Sequence, residues 1–239
     1  MTARSSREWP VVGALTRFWS SDKGLSIFSA FLLVVIFVLP PFVAPGTGRS
    51  LLGDLAFALL LLSGVLALSE RGTVWLILMA AALVAVAVDL GRWILPVSEP
   101  LTRLTSLVSP VLLLVVFLGQ TFRRGPVTFH RIQGGIAAYL LLGVIWAQAY
   151  SLVEMMHPGA FSGPVDTAAG PRGWIYFSFV ALTTVGFGDV VPVHPVARSL
   201  AILEAVTGPL YVAILLARLV SLTVASGQPG GADRRSGDA

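Results

Sequence analysis

Hydrophobic and polar positions along this chain fall into long blocks. Apolar runs cover about 25–39, 51–68, 74–95, 104–122, 132–152 and 196–224, with short clusters of proline, glycine and charge between them. Each approaches or exceeds the roughly 20 residues an α-helix needs to cross bilayer hydrocarbon. The blocks therefore predict an all-α membrane protein with six transmembrane helices. Punctuation agrees: Pro40-Pro41 closes the first run, Glu70-Arg71-Gly72 the second, Pro96 the third and Arg123-Arg124-Gly125 the fourth. Between the fifth and sixth runs, Glu154–Arg172 reads as a Pro/Gly-rich loop. After it, Gly173–Leu182 is apolar but too short to span, so it predicts a half-helix that dips into the membrane. Irregular backbone at that depth is tolerated only inside protein or beside a water-filled cavity. One subunit alone supplies neither, which predicts an oligomer.

Composition supports the class. The 239 residues are 56% hydrophobic and 12% charged, against about 25% charged in a soluble domain. A net charge of +4 raises nucleic acid as a partner, but the arginines sit at the ends of apolar runs, where they set membrane orientation. Nucleic-acid binding is excluded on that pattern. With six spans the termini share one side. Arg71, Arg123, Arg124, Arg131 and the basic N-terminal residues fall there, which predicts a cell-membrane protein with both termini in the cytoplasm. No cysteine is present, which excludes disulfides and thiolate metal sites. No cleaved signal peptide is expected. The chain divides into a basic segment (1–24) with an interfacial Trp9–Trp19 piece, four helices (25–125), a fifth-to-sixth-helix unit (126–225) and a polar tail (226–239) expected to be disordered. With so short a tail, no cytoplasmic ligand-binding domain is expected.

The chemistry concentrates at Thr183-Thr184-Val185-Gly186-Phe187-Gly188-Asp189, approached from the outer side under this topology. Alternating glycines allow successive residues to take left- and right-handed conformations, so that their carbonyls all face one way. Stacked carbonyl rings of that kind replace the water around a cation. At these residues, at the half-helix before them and at the span after them, the sequence resembles the pore of the potassium-channel family, over roughly Trp174–Ser221.

That resemblance implies four chains around one axis. Thr184, Val185, Gly186 and Phe187 would coordinate K+ through carbonyl oxygens, with the Thr184 hydroxyl as the innermost ring. Thr183, Gly186 and Gly188 would hold the loop, Asp189 would concentrate cations at the outer mouth, and Trp174–Leu182 would aim its partly negative end at the cavity below. Phe187 replaces the usual tyrosine, so a hydroxyl that ties the filter to the pore helix is missing. Val180 stands where some members carry glutamate. Glu204 is expected to turn towards the pore helix and bond near Ser178 or Thr183, or else to be a water-facing or protonated group without specific duty. Gly208 falls at the family's hinge glycine and Pro209 removes a backbone bond beside it, predicting a bend that either moves or stays fixed.

The layout also resembles voltage-gated channels, but the chemistry of a sensor is missing. The fourth run carries Arg103 at its start and Arg123-Arg124 at its end, with no charge between and Pro110 inside. It is not expected to sense voltage. Asp54, Asp89, Arg92 and Arg103 are expected to form structural pairs near the outer interface, Asp89 with Arg92 one turn apart. His130, His157 and His194 show no metal-site spacing, although His157 or His194 at the outer mouth suits a pH response. The expected function is a potassium-selective channel with no cofactor beyond its permeant ion. A weakly selective cation channel is the alternative within the class. A secondary transporter would show two related halves with paired broken helices, and an enzyme would show a nucleophile with its base or a metal cluster; neither pattern is visible. Expected partners are K+, the lipid bilayer, three further copies of the chain, and a separate regulatory subunit as one candidate source of gating.

Overall fold

The structure is a computed structural model that describes residues 22–38, 55, 58–59, 62, 73–91, 99–121, 129–165 and 167–227. Among these the chain is helical apart from one short strand pair and the turns and irregular backbone around it, at 157–165 and 183–194. Helix α1 spans Asp22–Leu33 and continues as a π-helical turn, Val34–Val38. Helix α2 is Thr73–Gly91, α3 is Glu99–Thr121 and α4 is Phe129–Met156. Strand β1 (Phe161–Ser162) is followed by a 3-10 helix, Thr167–Trp174, and then α5, Ile175–Leu182. Strand β2 (Val191–Pro192) precedes α6, Pro195–Gly227.

The apolar runs map onto these elements with instructive shifts. Helix α3 starts at Glu99, ahead of its apolar run, because an acid at the first position and Pro100 in the first turn both suit a helix N-terminus. Of the second run only residues 55, 58, 59 and 62 are described, all helical, and the rest of that run lies outside the described residues. So do Asp54 and Arg92, and with them the expected Asp89–Arg92 pair; so too do Met1–Ser21 and the tail from residue 228. Two helices, 132–156 and 195–221, are long and apolar enough to cross a membrane; 28–38, 79–88 and 110–119 are shorter apolar stretches.

The loop expected over Glu154–Arg172 carries regular structure. Helix α4 stops where His157-Pro158-Gly159 stops it: Pro158 disfavours helical backbone before it, and Gly159 takes a left-handed φ of 81°. The Gly159 N–H donates to Glu154 Oε1 at 2.8 Å, closing the helix end. At the other side, Pro195 occupies the first turn of α6 and His194 caps it, with Nδ1 accepting the Val196 N–H at 3.3 Å. The imidazoles of His157 and His194 stack at 4.3 Å, so the end of α4 and the start of α6 are pinned together.

Packing makes α4 the central element. Helix α3 lies along it, α1 packs on it, α2 packs on α3, and α5 fits between α4 and α6. One apolar core joins Phe28 and Leu32 of α1, Ala82 and Ala85 of α2, Leu113 and Phe117 of α3, Leu141 of α4, and Phe179 and Leu182 of α5. Phe28 stacks on Phe117 at 5.3 Å. The π-helical end of α1 places Phe37 edge-on to Phe179 at 4.9 Å, so the first helix reaches the short dipping helix directly. A second core gathers Tyr150, Trp174, Phe177 and Val190, with Phe161 against it, beneath the segment that follows α5.

Candidate functional site

Helix α5 has only eight residues and no side-chain cap at its N-terminal end; it grows out of the 3-10 turn through Trp174, whose backbone is already near-helical (φ −95°, ψ −8°). Trp174, Phe177, Ser178, Phe179 and Leu182 are all buried, so packing rather than intrinsic propensity holds this short helix. Gly143 of α4 makes room for it: a Cβ there would lie 2.5 Å from the Phe179 ring.

From the end of α5 the backbone alternates in hand. Thr184, Gly186 and Gly188 have φ of +61°, +57° and +78°, while Thr183 has φ −85°. For glycine this costs little. For β-branched Thr184 it is strained, by about 1–3 kcal/mol. The amides hold the strained loop in place: Thr183 N–H donates to Phe179 O (3.0 Å), Thr184 to Ala181 O (2.9 Å), and Val185 and Gly186 both to Val180 O (3.0 and 3.3 Å). The N–H groups thus point back at the helix. Among the described backbone bonds none is accepted by a carbonyl of Thr184–Phe187, which leaves those oxygens for another ligand. Hard oxygen ligands of this kind suit a cation that sheds its water. The side chains between, Val185 at 54% and Phe187 at 69% exposure, are uncovered in the single chain.

The outer end is fixed by residues that local sequence reading did not flag. Tyr176 of α5 stacks flat on Phe187, with centroids 6.4 Å apart and planes at 6°, and its hydroxyl bonds the Asp189 carboxylate. A hydroxyl from α5 thus reaches the outer end of this segment, where Phe187 carries none. Asp189 Oδ1 also accepts the Val190 N–H at 3.0 Å. Below Asp189 lies Gly163, φ +126°, where a Cβ would come within 2.2 Å of the Asp189 carbonyl oxygen. β1 pairs antiparallel with β2, Phe161 opposite Pro192, and Val193 N–H donates to Ala160 O at 2.9 Å. The outer loop is therefore a cradle for the exit of the 183–189 segment.

Glu204 of α6 is fully buried. Ser178 Oγ lies 2.6 Å from its Oε1, and the Tyr150 hydroxyl donates to its Oε2. Ser178 is therefore the partner on α5, whereas the Thr183 hydroxyl, at the C-cap, donates to the Phe179 carbonyl of the last turn at 2.6 Å. Tyr150, 54 residues from Glu204 in sequence, was not foreseen. A lone tyrosine in an apolar run gives no local sign of a partner so distant.

Gly208 and Pro209 lie inside an unbroken helix. A Cβ on Gly208 would sit 1.9 Å from the Leu182 carbonyl oxygen, so this glycine is required for close approach of α6 to the end of α5. That requirement is distinct from the hinge role expected of it. Pro209 is exposed. No group of three or more metal-ligating side chains occurs among the described residues.

Known proteins resemble this part of the chain. Residues 139–225 match the family model described as "Ion channel". A "Two pore potassium channel c" of Oryza sativa subsp. japonica is 33% identical over 86 residues, covering 36% of this chain and 17% of the relative. An "Inward rectifier potassium channel Kirbac3.1" of Paramagnetospirillum magnetotacticum is 30% identical over 80 residues, covering 32% of this chain and 24% of that one. The chain thus aligns with less than a quarter of the length of either. No solved structure matches it.

Proposed function

We propose that this potassium-channel family protein conducts K+ passively and selectively across the cell membrane, through a filter formed by Thr184–Phe187 of four identical chains. The family match and both relatives point to a channel rather than an enzyme. The observation that carries the selectivity reading is the alternating backbone at 183–188, with its amides tied back to α5 and its carbonyls left unbonded. One filter segment per chain calls for four chains to close a ring. The uncovered Val185 and Phe187 side chains would be covered by neighbouring subunits, as irregular backbone at membrane depth requires. The subunit would have six spans and cytoplasmic termini, with 25–125 as a four-helix unit beside the pore unit 126–225. Permeation needs no cofactor. Voltage would not drive it: each gating charge is worth about 2.3 kcal/mol per 100 mV, and none lies between Leu104 and Phe122.

Planar-bilayer recording with potassium on one side and sodium on the other tests this. A reversal potential close to that of a K+ electrode is expected, with barium blocking both current and proteoliposome flux. A reversal near zero would instead select the weakly selective cation channel. Saturable exchange that barium leaves untouched would select a transporter.

A further inference from the structure

Counting hydrogens around Ser178 leads to a property of the filter's rear support. Tyr150, Ser178 and Glu204 are each fully buried. Ser178 Oγ lies 2.8 Å from the Gly143 carbonyl oxygen and 2.6 Å from Glu204 Oε1. A hydroxyl has one hydrogen to donate, and a backbone carbonyl only accepts. If Glu204 were a carboxylate, both neighbours would be acceptors, and one of these contacts would hold two oxygens together with no hydrogen between them. A proton on Oε1 removes the conflict. The acid then donates to Ser178 Oγ, Ser178 donates to Gly143 O, and Tyr150 donates to Oε2, so each of the three contacts has its own hydrogen. The ionisable groups that couple to Glu204 are Tyr150 and Tyr139, both of α4 and both neutral hydroxyls.

We infer that Glu204 is a neutral carboxylic acid and a positioning residue, relaying a hydrogen-bond chain through Ser178 that ties the pore helix to α4 and α6 at once. The inference rests on reading 183–189 as the filter. It gives that filter a rear anchor in the inner helix, where Val180 of α5 offers none. Glutamine reproduces the pattern of the neutral acid, with an amide N–H for Ser178 and a carbonyl for Tyr150; alanine reproduces nothing. Tyr150 and Ser178 become positioning residues of the same device.

The test is infrared difference spectroscopy of the full-length protein at neutral pH, wild type minus Glu204→Gln, combined with K+ flux. The expected spectrum shows the carbonyl stretch of a protonated carboxylic acid. Glu204→Gln is expected to keep flux within about twofold of wild type, while Glu204→Ala, which strands buried polar partners, loses about tenfold. If Glu204→Ala does not assemble, Ser178→Ala takes its place, and the acid band is expected to shift because its acceptor is gone. Carboxylate stretches at neutral pH, a Gln variant as impaired as the Ala variant, or an acid band indifferent to Ser178→Ala would each overturn the inference. The spectrum does not depend on which ion permeates, so its failure is separable from failure of the selectivity reading.

Discussion

At the scale of residues, the outer end of the site takes a hydroxyl from α5. Phe187 has no hydroxyl, and Tyr176 supplies a ring to stack on it and a hydroxyl for Asp189. Tyr176→Phe should keep the stack and lose the bond. The expected result is a filter that stays potassium-selective but closes more readily, read as shorter single-channel openings; Tyr176→Ala should also raise sodium permeability, read as a shift in bi-ionic reversal potential. Gly163 is under a stricter constraint, because its Cβ would strike backbone atoms of Asp189 and Val190 rather than a side chain. Gly163→Ala combines that clash with a left-handed φ, and overpacking alone typically costs about 1–3 kcal/mol. A lowered midpoint of thermal dissociation in detergent is expected.

At the scale of elements, α5 and α6 meet where Gly208 faces the Leu182 carbonyl. Two roles for the Gly208-Pro209 pair then separate. Gly208→Ala would push the pore helix and is expected to reduce both oligomer stability and selectivity. Pro209→Ala restores a backbone N–H on an exposed face and is expected to alter open probability alone, read in single-channel records. Equal gating changes with intact selectivity in both variants would assign a hinge role to the pair as a whole. The π-helical turn of α1 supplies another element-level contact. Phe37→Ala removes an aromatic pair worth about 0.5–1.5 kcal/mol and is expected to lower thermal stability by that order, while leaving the filter sequence untouched.

These elements were unevenly legible in the sequence. The dipping helix and the alternating backbone at 183–188 could be read because their signals are local: apolar length, glycine spacing and the aspartate at the end. The partner of Glu204 on α5 was legible in part, since an acidic group in an apolar run must find a hydrogen-bond partner and Ser178 is a hydroxyl on the facing helix. Tyr150, Tyr176 and Gly163 were not, because each owes its role to a residue distant in sequence or to clearance that only packing defines. The cradle at 157–163 looked like plain loop for the same reason: a two-residue strand pair leaves almost no periodic signal.

For the whole molecule, the shared core matters most. Phe28, Leu32, Leu113 and Phe117 come from the first helices, yet they pack in one cluster with Leu141, Phe179 and Leu182 of the pore unit. A chain cut to 126–239 would expose that face of α4. It is expected to give unstable or aggregated oligomers by size-exclusion chromatography and native mass spectrometry, where the full chain is expected to give a single tetramer.

The clearance at Gly208 also bears on how sequences descended from this chain would drift. Any descendant that keeps the same spacing between inner and pore helices must keep glycine there, whatever opens its pore. No clearance of this kind fixes Pro209 within the chain, so its retention would call for another cause, such as bending of the helix. Across lineages, persistence of the proline rather than of the glycine would be the inherited trace of a moving helix.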